Sequence, residues 1–398
     1  QGVSVPGAQD TVTSTRAMHK MRLQRWRAAL ATSATSLVSG LATYVICFRI
    51  WTPRLEKISR LPPYKLSHAS RALQALMDFN SQIGSRASHE NAKGFKPRST
   101  DVFLVTYPKS GTTWLSQIAH GLRSNGSMDF EEISDVVPWD VAALDCGQEL
   151  DADQAFPPRL FKSHLSAQLV PRGARYIVLV RNPEDVLISL YRYFCVGDWP
   201  KYAGFRPEHL PLELFAAGIF ASHFNHGLWG QVASWYACCW NDTRVHWVTY
   251  EDLTEHPTKH ILGLARFLGV DTSDHRRLAI AEAQASRSFM LKHRTQFDDH
   301  VVLKHTLPKQ ALQAMSAPPT RPKVQPTASS GVISEELREL MDSRWQQIVV
   351  PTTGFQSYRQ LREAILHRFV LTMNQSSLTS VGSSRAATVK PPLDAVHR

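Results

Sequence analysis

The stretch Asp101-Val-Phe-Leu-Val-Thr-Tyr-Pro-Lys-Ser-Gly-Thr-Thr-Trp114 decides the fold. Its first half is a short apolar run rich in β-branched and aromatic residues, the pattern of a buried strand. Pro108 to Gly111 then break the run, and Thr113 opens a helical stretch from Trp114 to Leu122. A strand that turns straight into a helix presents backbone N–H groups at the helix start, and these suit an anion. Lys109 and the hydroxyls of Thr112 and Thr113 add side-chain contacts to such a site. The spacing differs from the nucleotide triphosphatase loop G-x-x-x-x-G-K-[ST]. Thr112 stands where that loop has its Lys, and Thr106 where it has its first Gly.

Three further strands follow: Arg159-Leu-Phe-Lys-Ser-His164, Arg175-Tyr-Ile-Val-Leu-Val-Arg181 and Val245-His-Trp-Val-Thr-Tyr250. Helical stretches follow two of them, from Glu184 to Phe194 and from about Pro257 to Leu268. Alternating strands and helices predict a parallel α/β sheet whose ligand lies beyond the carboxyl ends of its strands. On the second strand, Lys162 and His164 are two apart and share a face. Arg181 closes the third strand, with Ser189 about two turns into the next helix. Near the C-terminus, Ser334 is placed to cap a helix whose Leu337, Leu340, Met341, Trp345 and Ile348 form one apolar stripe.

Composition narrows the function classes. The net charge of +11 invites a nucleic-acid reading, but its distribution argues against one. Residues 1–100 carry 15 Lys and Arg against 4 Asp and Glu, and the remaining residues carry 30 of each sign. The body is neutral and lacks the broad basic face a duplex binder needs, although a small anion pocket requires only a few local cations. Five cysteines, at 47, 146, 195, 238 and 239, form no CxxC pair and suggest neither zinc nor a disulfide framework. The adjacent Cys238 and Cys239 lie in an aromatic run and read as buried thiols. No constellation of side chains demands a metal.

The first 98 residues read as a basic extension, residues 99–373 as a single folded domain, and residues 374–398 as a disordered tail. Ala28 to Phe48 is a stretch of 21 uncharged residues preceded by Lys20, Arg22, Arg25 and Arg27. It is long enough to span a bilayer, yet its Ser, Thr and Ala content also suits an organelle leader or a peripheral extension. Location therefore stays open between membrane-anchored, cytoplasmic and organellar.

The segment Tyr107 to Trp114 resembles, residue for residue, the 5′-phosphosulfate loop of sulfotransferases that use 3′-phosphoadenosine 5′-phosphosulfate (PAPS). The likeness continues in order from about Asp101 to about Arg362. It implies a P-loop-like parallel β-sheet flanked by helices in a single sulfotransferase domain. The family's Lys-Thr-His-Leu-Pro appears as Lys162 to Ser166, which makes His164 the general base by resemblance, with Lys162 and Lys109 supporting the transferred and departing charges. Lys109, Ser110, Gly111, Thr112 and Thr113 would hold the 5′ end. The family's Arg-Asn-x-x-Asp-Val-x-x-Ser spans Arg181 to Ser189, whose Arg and Ser take the 3′-phosphate. Trp114 and Tyr250 correspond to the neighbours of adenine.

Two segments depart from the pattern. Arg287 or Phe289, within Ala285 to Met290, stands in for an expected aromatic, and the late basic loop survives only as Arg321-Pro-Lys323-Val-Gln325. Gln325 falls where a phosphate-binding Arg is expected, leaving Arg321 or Lys323 to substitute. The dimer motif of vertebrate cytosolic members is not recognisable, so oligomeric state stays open. The expected product is 3′,5′-ADP, and the partner is a small-molecule acceptor with a hydroxyl or amine. Aromatics between Phe194 and Trp235 (Trp199, Tyr202, Phe205, Phe215, Phe220, Phe224 and Trp229) would favour an acceptor with an apolar part, or are simply core. Two rival readings stand beside this one: a P-loop kinase holding Mg²⁺ through Glu251 or Asp252, and a catalytically inactive nucleotide-binding membrane protein.

Overall fold

The computed structural model describes residues 63–81, 84–196, 199–221, 227–307, 312 and 333–386. The proposed membrane segment Ala28–Phe48 and the residues Arg321 and Lys323 lie outside them. No described helix is long and apolar enough to cross a membrane.

Two helices, α1 (Pro63–Ser81) and α2 (Arg86–Gly94), precede β1 (Val102–Thr106). Then come α3 (Thr112–Ser124), β2 (Leu160–Ser163), β3 (Arg175–Val180) and α4 (Pro183–Cys195). After α5 (Gly227–Cys239), β4 (Val245–Thr249) completes the sheet. The strand order is β2-β1-β3-β4 and every pairing is parallel. The chain leaves β1 toward one neighbour and later returns to its other side, which opens a crevice at the carboxyl end of β1.

Both faces of the sheet are covered, and the strands alternate between two cores as a period of two requires. Phe103, Val105, Tyr176, Val178 and Val180 face one core, while Val102, Leu104, Ile177 and Leu179 face the other. The second core is closed by Leu115, Ile118 and Leu122 of α3 and by Ile261, Leu264 and Leu268 of α7 (Pro257–Leu268), which follows the short α6 (Tyr250–Glu255). The first core takes in Val186 and Leu190 of α4 and Val232 and Trp235 of α5.

Several expectations are revised here. Leu73 and Leu76 of α1 are fully buried in the first core, so the packed body begins well before residue 99. Such packing is set by tertiary contacts that a basic composition does not reveal. The final helix, Tyr358–Ala386, runs on past Asn374 rather than ending there. Ser334 does precede a helix, Glu335–Arg344, but its hydroxyl makes no capping bond. Cys238 is exposed and Cys239 half-buried, because the aromatics around them turn inward from the last turn of α5.

One buried ion pair fixes the start of the sheet. Arg159 donates from Nε and Nη2 to the two carboxylate oxygens of Asp101 at 2.9 and 2.6 Å, and from Nη1 to the carbonyls of Leu150 and Ala152. Both side chains are almost wholly buried. Removing one partner leaves the other charge without solvent or counter-ion. Asp101→Ala should therefore lower stability by about 3–5 kcal/mol, read as a reduced urea midpoint; an unchanged midpoint would contradict this role.

Candidate active site

The turn after β1 departs from ordinary backbone geometry at two places. Lys109 has φ +70° and Gly111 has φ +111°, the latter serving as N-cap of α3 with no side chain to offer. A left-handed conformation at a residue other than glycine is uncommon and costs about 1 kcal/mol or more. At Gly111 a side chain is excluded outright, since a Cβ there would lie 2.8 Å from the ring of Tyr250. The first N–H groups of α3 thus have no side-chain cap from the turn. Ser110 Oγ is fully buried and meets no hydrogen-bond partner among the described residues. Lys109 Nζ lies 4.4 Å above the ring centre of Tyr193, in the last turns of α4. An uncapped helix start, an orphaned buried hydroxyl and a lysine suit an anionic group. The Thr112 hydroxyl is paired with Thr106 Oγ1 at 2.5 Å, and either of the two can donate.

Arg181, at the end of β3, reaches the same turn. Its Nη1 donates to the Lys109 carbonyl at 3.2 Å, and its guanidinium carbon lies 4.2 Å over the Tyr250 ring. Asp185 is 3.8 Å away, a loose ion pair, and Arg181 Nε has no partner among the described residues. Ser189 sits half-buried, two turns into α4. Trp114 meets Tyr250 edge-on at 5.1 Å and donates its indole N–H to the Ala285 carbonyl at 2.8 Å. Tyr250 is therefore gripped by Gly111, Trp114 and Arg181 together. Of the two candidate replacements for the expected aromatic, Arg287 is exposed and Phe289 stacks on His293 at 4.3 Å.

On the other side of β1, His164 leaves the end of β2. Its Nδ1 lies 2.8 Å from the Thr106 carbonyl, which can only accept, so Nδ1 carries a hydrogen, and a neutral ring would bear its lone pair on Nε2. Trp139 packs edge-on against His164 at 5.4 Å, and Lys162 Nζ lies 4.3 Å over the same indole. Around Lys162 stand two buried acids. Burial pushes the Asp140 carboxyl up to about 7, against the pull of Ser163 and Lys162. Glu132 is likewise raised to about 7 by burial and by Asp299, with Lys162 acting in the opposite sense.

Trp139, Asp140, Tyr193 and Gln231 all border these groups, and sequence reading singled out none of them. Trp139 and Asp140 sit in an irregular segment without periodicity. Gln231, Ser234 and Trp235, however, recur at i, i+3 and i+4, a face that was visible as such. The aromatic acceptor wall does not emerge: Trp199, Phe205, Phe215 and Trp229 belong to the first core, while the side chains of Tyr202, Phe220 and Phe224 lie outside the described residues. Glu251 accepts from the Asn182 N–H at 2.9 Å and from the Tyr358 hydroxyl. Asp252 accepts from Thr249 Oγ1 at 2.6 Å and Arg362 Nε at 2.8 Å. Both carboxylates are thus committed to structural partners. Among the described residues, no group of three or more His, Cys, Asp or Glu side chains is placed to hold a metal.

The class so defined is an α/β protein whose cationic groups gather at the carboxyl edge of a parallel sheet. A family description, the sulfotransferase domain, matches residues 99–301, about half of the 398. The chain belongs to the sulfotransferase family. It is 30% identical over 203 residues to dog sulfotransferase 1B1, covering 46% of this chain and 64% of the relative. It is 31% identical over 191 residues to human sulfotransferase 1E1, covering 45% and 62%. The chain thus spans less than two thirds of the length of these relatives. Among solved structures it is similar to mouse sulfotransferase SULT7A1 complexed with PAP, at 21% identity and TM-score 0.48, covering 68% of this chain and 92% of that one. A retinol dehydratase in complex with androsterone and PAP gives 16% identity and TM-score 0.48, covering 67% and 85%.

The raised Asp140 carboxyl has a measurable consequence. Its folded-state value lies above the ordinary 3.8, so between about 4 and 7 the native protein holds a proton that the unfolded chain has lost. Stability from this group is full below pH 4 and declines as pH rises through 7. Asp140→Asn stays neutral throughout. Its stability relative to wild type should rise between pH 4 and 7.5, on the order of 2–4 kcal/mol by chemical denaturation; a difference that does not change with pH would refute the assignment.

Proposed function

We propose that this chain transfers a sulfuryl group from PAPS to a hydroxyl or amine of a small-molecule acceptor, leaving 3′,5′-ADP. The observation that carries this reading is the meeting of Arg181 with the Lys109 turn, which brings cations from two strand ends to one crevice. A nucleotide phosphorylated at both its 3′ and 5′ positions is the ligand such a pair suits. The sulfotransferase names of the relatives support the same reading.

The chain's own residues divide the work. The backbone of residues 109–113 with Lys109 and Ser110 would hold the 5′ end, and Arg181 with Ser189 the 3′-phosphate. Trp114 and Tyr250 would receive adenine, and Arg321 or Lys323 would add a late-loop contact. Arg offers a planar fork of donors, the geometry a phosphate matches best. When bound, PAPS supplies a sulfuryl group on a good leaving phosphate. His164 Nε2 takes the acceptor's proton as its oxygen or nitrogen attacks, general-base work for which a neutral imidazole is suited. Lys109 steadies negative charge on the departing side, and Lys162 the charge on the group in transit. Placement and charge stabilisation are the main demands of such a displacement. The kinase alternative loses ground because Glu251 and Asp252, its candidate Mg²⁺ ligands, are occupied by Asn182, Tyr358, Thr249 and Arg362.

Titration calorimetry with 3′,5′-ADP in EDTA should give binding that added Mg²⁺ does not strengthen, while ATP binds weakly under both conditions. Mg²⁺-dependent ATP binding would favour the kinase. Arg181→Ala should weaken 3′,5′-ADP by about 10- to 100-fold and leave 5′-AMP nearly unaffected, the range expected for a charged hydrogen bond. In a labelled-PAPS acceptor screen, His164→Ala should abolish transfer with 3′,5′-ADP binding intact, and near-wild-type turnover would reject His164 as the base. Binding without transfer to any acceptor by the wild type would point to an inactive nucleotide-binding protein.

A further inference from the structure

We infer that Gln231 is a positioning residue for the His164 imidazole, setting its orientation and tautomer through the backbone; this rests on the proposed role of His164 as base. The β1–β2 ladder ends at Val105 opposite Ser163. The next rung would join Thr106 and His164, and the side-chain amide of Gln231 stands in for it. Its Nε2 donates to the Thr106 carbonyl at 3.1 Å and to the His164 carbonyl at 3.2 Å. Both oxygens can only accept, so the amide nitrogen, not its oxygen, must face them. The side chain is 6% exposed, and the Thr106 bond is buried.

The Thr106 carbonyl is shared. It receives Gln231 Nε2 and, at 2.8 Å, His164 Nδ1. Gln231 therefore holds both supports of the ring: the main chain from which it hangs and the oxygen to which it donates. The tie is anchored by its own helix. Ser234 Oγ accepts from the Ala167 N–H at 3.3 Å and Trp235 Nε1 donates to the Leu165 carbonyl at 3.2 Å. One face of α5 thus clamps the strand end that carries the base. Without the Gln231 donor, Thr106 keeps its pairing with Leu179 of β3 but loses its tie to the His164 strand end, so its carbonyl can turn away from Nδ1 and let the imidazole tilt or adopt the other tautomer. A small misplacement of a reacting group costs up to about 100-fold in rate.

Gln231→Met keeps the side-chain volume and removes the donor. The expected result is kcat for sulfuryl transfer lowered about 10- to 100-fold, with KM for PAPS and the Kd of 3′,5′-ADP within about twofold of wild type. Histidine-selective ¹⁵N correlation spectra, with the His164 signal assigned from its loss in His164→Gln, should show a proton on Nδ1 in wild type and a mixture of tautomers in Gln231→Met. If Gln231→Met does not fold, Gln231→Leu removes the donor with an apolar side chain and is read in the same way. Unchanged kcat, an unchanged single tautomer, or a parallel loss of 3′,5′-ADP binding would each overturn the inference. A wild type that shows the Nδ1–H tautomer, lost in Gln231→Met, but transfers no sulfuryl group would overturn the function and leave the positioning role standing.

Discussion

The architecture depends on one constraint: the chain must turn from β1 into α3 within five residues while two of them, Lys109 and Gly111, hold left-handed backbone. That geometry leaves the first N–H groups of the helix without a side-chain cap. It also forces Gly at 111, because Tyr250 occupies the space a side chain would need. Tyr250 in turn supports the Arg181 guanidinium, and Arg181 bonds back to the Lys109 carbonyl. The strained turn, the aromatic shelf and the second cation thus pack against one another at a single strand end. Strain of this kind persists only where the surroundings over-determine it.

The same economy governs the electrostatics. The body of the chain balances its charges, and two carboxylates buried beside the sheet each have a cation: Asp101 has Arg159, and Asp252 has Arg362. Lys162 is embedded among Asp140 and Glu132, whose carboxyls are held up near neutrality by burial. At the crevice Lys109 and Arg181 bring positive charge from two strand ends, which an anionic ligand would complement. Charge kept local in this way can select a small anion without creating a broad basic surface.

Much of this was legible in the residues. The strands ending at Thr106 and Val180 announce themselves by continuous apolar runs, because a parallel sheet is buried on both faces, while those ending at Ser163 and Thr249 are shorter apolar stretches interrupted by Lys162 and His246. Lys109, His164, Arg181 and Tyr250 could be placed together because each sits at or just beyond a strand's carboxyl end. Three features were not legible. Trp139 and Asp140 come from a loop whose path no periodicity fixes. Leu73 and Leu76 belong to a helix whose basic surroundings disguised its core face. Trp199, Phe215 and Trp229 carry aromatic rings that composition alone cannot assign to a pocket or a core, and packing places them in the core. Gln231 lay between these extremes, since its spacing with Ser234 and Trp235 was readable but its partners, two backbone carbonyls, were not.

The central claim is that the Lys109 turn and Arg181 grip the two phosphorylated ends of one nucleotide. A crystal structure of the chain with 3′,5′-ADP tests it most directly. The account predicts the 5′-phosphate against the backbone of residues 109–113 and the 3′-phosphate within hydrogen-bond distance of Arg181 and Ser189. A nucleotide bound elsewhere, or bound here with Arg181 turned away from it, would contradict the account.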